Sequence, residues 1–94
     1  MKNCKRIEFK KSAEKFLRSR SRKEQVRLLT KIYKLPDGEN IKKMEGYGNR
    51  FRLRVGDFRV IYEMSVETTK PGHDFDAVLL ILVVNIGNRG DVYK

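Results

Sequence analysis

The sequence predicts an α+β fold of order β-α-α-β-β-β, with an N-terminal helical hairpin packed on one face of an antiparallel sheet. Three observations predict it. Arg50–Glu63, RFRLRVGDFRVIYE, alternates with a period of two on either side of Gly56-Asp57. Residues 12–35 carry apolar side chains at helical spacing and run into Pro36 and Gly38. Ala77–Val84, AVLLILVV, is an uncharged apolar run of strand length.

Taken in order, Lys5-Arg6-Ile7-Glu8-Phe9 alternates and reads as a first strand with Ile7 and Phe9 inward. Ser12 is a candidate N-cap for a short helix to about Ser19, packed through Ala13, Phe16 and Leu17. Ser21 is a second candidate cap, and Arg22–Leu35 follows as a longer helix stopped by Pro36 and Gly38. At about 100° per residue, Val26, Leu28, Leu29, Ile32, Tyr33 and Leu35 fall on one half of that helix. Lys23, Arg27, Lys31 and Lys34 gather on the other half. Asp37–Asn49 reads as a polar, Gly-rich connection in which Met44, and Ile41 beside it, reach the core.

The hairpin comes next. Gly56-Asp57 suits a two-residue loop. Folding about it sets Val55 opposite Phe58, Arg54 opposite Arg59, Leu53 opposite Val60 and Arg52 opposite Ile61. One face is then apolar (Phe51, Leu53, Val55, Phe58, Val60, Tyr62), and the other carries Arg50, Arg52, Arg54 and Arg59. Like charges directly opposite across two strands are unfavourable. A sheet that sets Arg54 against Arg59 is therefore read as built to hold an anion. Glu67–Phe75 is a loop by composition. The Val and Ile content of Ala77–Val84 marks it as a central buried strand rather than a helix.

The chain of 94 residues reads as one domain, 1–94, with a single modest core. No apolar run approaches the roughly 20 residues of a membrane span, and no secretory signal is visible at the basic N-terminus. The lone Cys4 makes neither an internal disulfide nor a metal cluster, so a reducing, cytoplasmic setting is expected. No metal and no small-molecule cofactor are expected. Cys4 reads as a bystander, since no residue is identifiable as its activating base. The net charge is +10 and it is segregated: residues 1–34 hold 13 Lys/Arg against 3 Asp/Glu, while the rest of the chain balances. That excess has two readings, charge that merely keeps a small protein soluble or a polyanion as partner, and its segregation favours the polyanion. Like charges at i,i+4 repel by a few tenths of a kcal/mol. The stripe of Lys23, Arg27, Lys31 and Lys34 therefore has two readings, a surface for a phosphate backbone or a solvated exterior.

The run KMEGYGNRFRLRVGDFRVIYE (Lys43–Glu63) and the closing IGNRGDVY (Ile86–Tyr93), behind a β-α-α opening, resemble the RelE/ParE superfamily of bacterial toxins. The resemblance covers nearly the whole chain. It implies a compact sheet with a helical hairpin, similar to small microbial ribonucleases, and a cognate antitoxin as partner. The superfamily divides into RelE-like members, which cut mRNA in the ribosomal A site, and ParE-like members, which poison DNA gyrase. RelE-like nucleases carry two basic residues before the hairpin turn, an arginine after it, another after the Ile-Gly of the last strand, and in many cases a terminal tyrosine. Arg52, Arg54, Arg59, Arg89 and Tyr93 fill those places and favour the nuclease branch. The resemblance thus implies ribosomal RNA and mRNA as partners and those five residues as the catalytic set. Lys23, Arg27, Lys31 and Lys34 are the residues expected to contact RNA.

Where the best-known nuclease of the family has lysines, this chain has Arg52 and Arg54. Arginine clamps phosphate through a planar fork of donors but is no general base at neutral pH. His73 sits in a loop with no visible partner, and Glu63 faces Arg50 and is expected to pair with it. Asp57 and Asp91 read as turn or ion-pair residues. The general base is therefore left unassigned. A gyrase-binding toxin and a non-catalytic nucleic-acid-binding domain stand as the alternative functions. The second lacks the exposed aromatic pair that RNA-binding sheets use for stacking.

Overall fold

A computed structural model of the chain describes residues 4–46, 48–68 and 77–88. Among them run β1 (Cys4–Phe9), α1 (Lys11–Arg18), α2 (Arg22–Ile32), β2 (Ile41–Lys43), β3 (Arg50–Val55), β4 (Phe58–Thr68) and β5 (Ala77–Asn88). The described strands form one sheet of order β1-β5-β4-β3-β2.

The α+β class and the helical hairpin on one face stand. The wholly antiparallel sheet does not, because β1 pairs with β5 in parallel, from Cys4↔Val78 to Phe9↔Val83. Parallel neighbours need a long crossover, and everything from α1 to β4 supplies it. The apolar run in β5 follows from this position, between β1 and β4. A further correction is β2. Residues 41–43 pair with β3 as Ile41↔Leu53, Lys42↔Arg52 and Lys43↔Phe51, where the composition indicated only a connection. Three residues are too few for alternation to announce a strand.

The hairpin register is as the sequence predicts: Val55↔Phe58, Arg54↔Arg59, Leu53↔Val60, Arg52↔Ile61, continuing to Arg50↔Glu63. Beyond it the β4–β5 ladder is irregular. Ile61 pairs with Asn85 but Tyr62 with Val83, so Val84 is an extra residue on β5. The bulge reverses the parity of β5. Ile81, Val83 and Ile86 thereby all join the core, with Asn85 and Gly87 opposite Ile61 and Arg59.

The core lies between this sheet face and the helices. It joins Ala13, Leu17, Leu28, Ile32 and Leu35 to Leu53, Val55, Phe58, Val60, Tyr62, Ile81, Val83 and Ile86. Phe16 is partly buried against it. On α2 the covered stripe is narrower than the predicted half-cylinder. Leu28, Ile32 and Leu35 are fully buried, while Val26 and Tyr33 are 58% and 55% exposed. At about 100° per residue those two point roughly 140–160° away from Leu28, past the edge of the contact.

The helix starts and stops differ in instructive ways. Ser21 caps α2 in a capping box, its hydroxyl accepting from Glu24 N while Glu24 Oε1 accepts from Ser21 N. Ser12 is not a cap. Lys10 occupies that position because its N–H still donates to Val83 O at 2.9 Å, so the chain passes straight from sheet to helix. At the far end α2 stops at Ile32 rather than Leu35, since the chain tightens into i→i−3 bonds such as Leu35 N to Ile32 O. The carbonyls of Tyr33 and Leu35 accept from Lys5 Nζ at 2.6 and 2.7 Å, which ties this end of the helix to β1.

Candidate nucleic-acid interface

Side chains alternate across the sheet, so the face turned away from the helices takes Arg50, Arg52 and Arg54 from β3 and Arg59, Ile61 and Glu63 from β4. β2 adds Lys42, directly opposite Arg52. Two rows of basic residues result. One runs Lys42–Arg52 towards Ile61 and Asn85. The other, a step nearer the turn, runs Arg54–Arg59 towards Gly87.

Within this set the environments differ. Arg50 is engaged internally: its Nε and Nη2 donate to Glu63 Oε2 at 3.1 and 2.6 Å, in a half-buried pair. The pairing read from the sequence register is thus present. Arg54 is exposed, and its Nε donates to Gly56 O at 3.4 Å. Arg59 is 9% exposed, the buried charged residue of the described chain. It stands on an interior strand beside Gly87, which places no side chain next to it. A guanidinium held in so little water acts on a nearby anion more strongly than one in bulk solvent. Arg52 is half-buried and lines a hollow with Lys42, Lys43, Met44 and Glu45.

Lys42 and Glu45 belong to this neighbourhood and were missed from the sequence. They sit in the segment read as a connection; the β2–β3 register brings Lys42 opposite Arg52, and Glu45, just past β2, lines the same hollow. The single available signal was the pair Lys42-Lys43 itself. Arg89 and Tyr93, the other two residues of the expected catalytic set, lie outside the described residues, as do His73 and Asp91. Among the described residues no group of three His, Cys, Asp or Glu is placed to hold a metal ion, and no helix is long and apolar enough to cross a membrane.

Lys23, Arg27 and Lys31 on α2, and Lys34 in the turn just past its end, are all exposed. The helix does not stand apart from the hairpin. A Cβ built on Gly56 would lie 2.6 Å from Arg27 Nη2 and 3.0 Å from Arg27 Cζ, so the Arg27 guanidinium rests against the β3–β4 turn. Lys31 and Lys34 line a depression with Gly38, Glu39 and Leu53. The basic stripe and the arginine face therefore meet at the turn.

No family model matches this chain, and no curated protein matches it. Among solved structures it is similar to a chain in the crystal structure of the RelB–RelE antitoxin–toxin complex from Methanococcus jannaschii. The TM-score is 0.63, at 23% identity, over 92% of this chain and 94% of that one. This chain has the fold of a component of that antitoxin–toxin complex.

Proposed function

We propose that this protein is the toxin of a toxin–antitoxin pair and acts as a ribosome-dependent endoribonuclease on translated mRNA. One observation carries the reading: Arg54 and Arg59 face each other across the hairpin, beside the Lys42–Arg52 row, on the sheet face that the helices leave open. The fold likeness to an antitoxin–toxin complex supports the toxin–antitoxin context and a cognate antitoxin as partner.

In this reading the ribose 2′-OH attacks the adjacent phosphorus, the P–O5′ bond breaks, and a 2′,3′-cyclic phosphate is left on the upstream fragment. The 2′-OH must lose a proton and the departing 5′-oxygen must gain one. Arg59 meets the charge that develops on the scissile phosphate, where low exposure makes a fixed cation most effective. Arg52 and Arg54 hold the flanking backbone through paired donors. Arg89 acts with Arg59 on the scissile phosphate, and Tyr93 stacks on a base or takes part in proton transfer. Glu45 is assigned as proton acceptor. It lines the hollow that holds Lys42 and Arg52, whereas Glu63 is held by Arg50. The ribosome aligns the substrate, which is where much of the rate enhancement of such a site arises.

The test is in vitro translation with purified protein. Cuts in mRNA at codon-defined positions, dependent on ribosomes and lost in Arg59→Ala, are expected. Intact mRNA with inhibited gyrase supercoiling would instead assign the protein to the gyrase-poisoning branch.

A further inference from the structure

The β3–β4 turn is approached by guanidinium groups from two directions. Arg27 reaches it from α2, its Nη2 2.6 Å from the position of a Gly56 Cβ. Arg54 reaches it from the open sheet face and donates to the Gly56 carbonyl. Both arginines are exposed, and among the described residues neither makes an ion pair with a carboxylate. The acid at this turn is the exposed Asp57, and it pairs with neither. Two cations drawn to one turn repel each other, so the arrangement is most favourable with an anion between them.

Gly56 is what permits the approach. Its φ of +59° is the left-handed conformation that the tight turn needs, and its missing Cβ is the space that Arg27 fills. The sequence shows the first reason for a glycine here. The second appears only when α2 is packed against the hairpin.

From this geometry we infer that Arg27 and Arg54 form one phosphate subsite at the Gly56 turn, occupied by a single phosphodiester of an RNA backbone. The subsite joins the α2 stripe to the arginine face. A strand lying along Lys23 and Arg27 can then continue across the turn to Arg54 and Arg59. The inference rests on the proposed function for the identity of the anion as RNA. It concerns binding and not cleavage, so the two fail separately.

A double-substitution cycle on RNA binding tests it. The full chain is titrated with a mixed-sequence single-stranded RNA of about twelve nucleotides at several salt concentrations. Arg27→Ala and Arg54→Ala are each expected to weaken binding several-fold and to lower the salt slope by about 0.7, one phosphate contact on a single strand. If one phosphate is shared, the double variant loses clearly less than the product of the two single losses, and its salt slope falls no further. Lys31→Ala combined with Arg54→Ala should be multiplicative. Gly56→Asn supplies a second arm: asparagine tolerates the left-handed turn, but its Cβ displaces the Arg27 guanidinium, so binding should fall as in Arg27→Ala. Unfolding curves confirm that each variant is folded. Multiplicative losses in Arg27→Ala/Arg54→Ala, or full binding by folded Gly56→Asn, would overturn the shared subsite. So would an unmodified protein that does not bind the RNA. Coupled binding without ribosome-dependent cleavage would overturn the nuclease reading alone.

Discussion

Arg54 and Arg59 are directly opposed across the β3–β4 hairpin, with Arg59 buried and Arg54 in solvent. An opposed like-charged pair destabilises a sheet by some fraction of a kcal/mol, and an anion bound between the pair reverses that cost. The unmodified protein should therefore gain melting temperature in phosphate or sulfate relative to chloride at equal ionic strength, because an anion that binds only the folded state stabilises it by mass action. In Arg54→Ala the gain should shrink while stability in chloride holds or rises. Thermal unfolding in matched salts measures both. A gain unchanged by Arg54→Ala would place the anion elsewhere.

In the proposed function Glu45 is the proton acceptor, so Glu45→Gln keeps the shape of the hollow with Lys42 and Arg52 and removes the acceptor. Ribosome-dependent cleavage should fall by roughly 10²–10⁴-fold, the usual contribution of a general base, with ribosome binding unchanged. Single-turnover cleavage beside a ribosome pelleting assay separates the two. A variant that cleaves at the normal rate removes Glu45 from the mechanism.

The Lys5 ammonium closes the end of α2 by donating to the carbonyls of Tyr33 and Leu35. Lys5→Met keeps most of the aliphatic stem and deletes both bonds. A net loss of about 1–3 kcal/mol is expected, since hydrogen bonds from a charged donor contribute more than neutral ones. For a chain of this size that lowers the melting temperature by roughly 4–8 °C per kcal/mol. Urea unfolding and calorimetry measure it. The opposite result, unchanged stability, would mean water satisfies these carbonyls equally well.

Tyr62 is fully buried, stacked on Phe51 at 5.6 Å, and its hydroxyl has no hydrogen-bond partner among the described residues. Removing an unsatisfied buried hydroxyl lifts a desolvation cost, so Tyr62→Phe should be neutral or stabilising by about 1 kcal/mol near neutral pH. Burial also pushes the phenol up from 10.0 to about 12. Below pH 10.0 both folded and unfolded chains keep the proton, and this group's contribution is fully present. As pH rises from 10.0 towards about 12 the unfolded chain releases the proton first. It then binds fewer protons than the folded chain, and stability falls. The loss amounts to about 2–3 kcal/mol across that window and should be absent in Tyr62→Phe. Denaturant unfolding of both proteins at about pH 9 and pH 11 reads the difference. Parallel losses in the two proteins would show that the fall belongs to other groups.

Parts of the candidate site were legible because their signal is local. Arg50, Arg52, Arg54 and Arg59 share a face through period-two alternation about a two-residue loop, and the same register set Glu63 against Arg50. Lys42 was not legible, because a three-residue strand has no period to detect and its value lies in its neighbour, and Glu45, in the turn just after it, carries no periodic signal at all. Val26 and Tyr33 were assigned to the apolar half of α2 by angle alone, yet the sheet covers only the stripe through Leu28, Ile32 and Leu35. Ser12 lost its cap role to a ladder bond made by Lys10 with residue 83, a partner that no local window contains.

By itself the sequence determined the α+β class, the hairpin register with Arg54 against Arg59, and the Ser21 start of α2. Each follows from residues a few positions apart, where alternation, loop length and capping chemistry leave one arrangement favourable. Only the tertiary structure decided that β1 runs parallel to β5, that Val84 bulges to keep Ile86 in the core, that Lys42 stands beside Arg52, and that Arg27 rests on Gly56. These are contacts between distant segments. They are set by which apolar faces bury one another and where the sheet leaves room, and such packing writes no periodic mark on the chain.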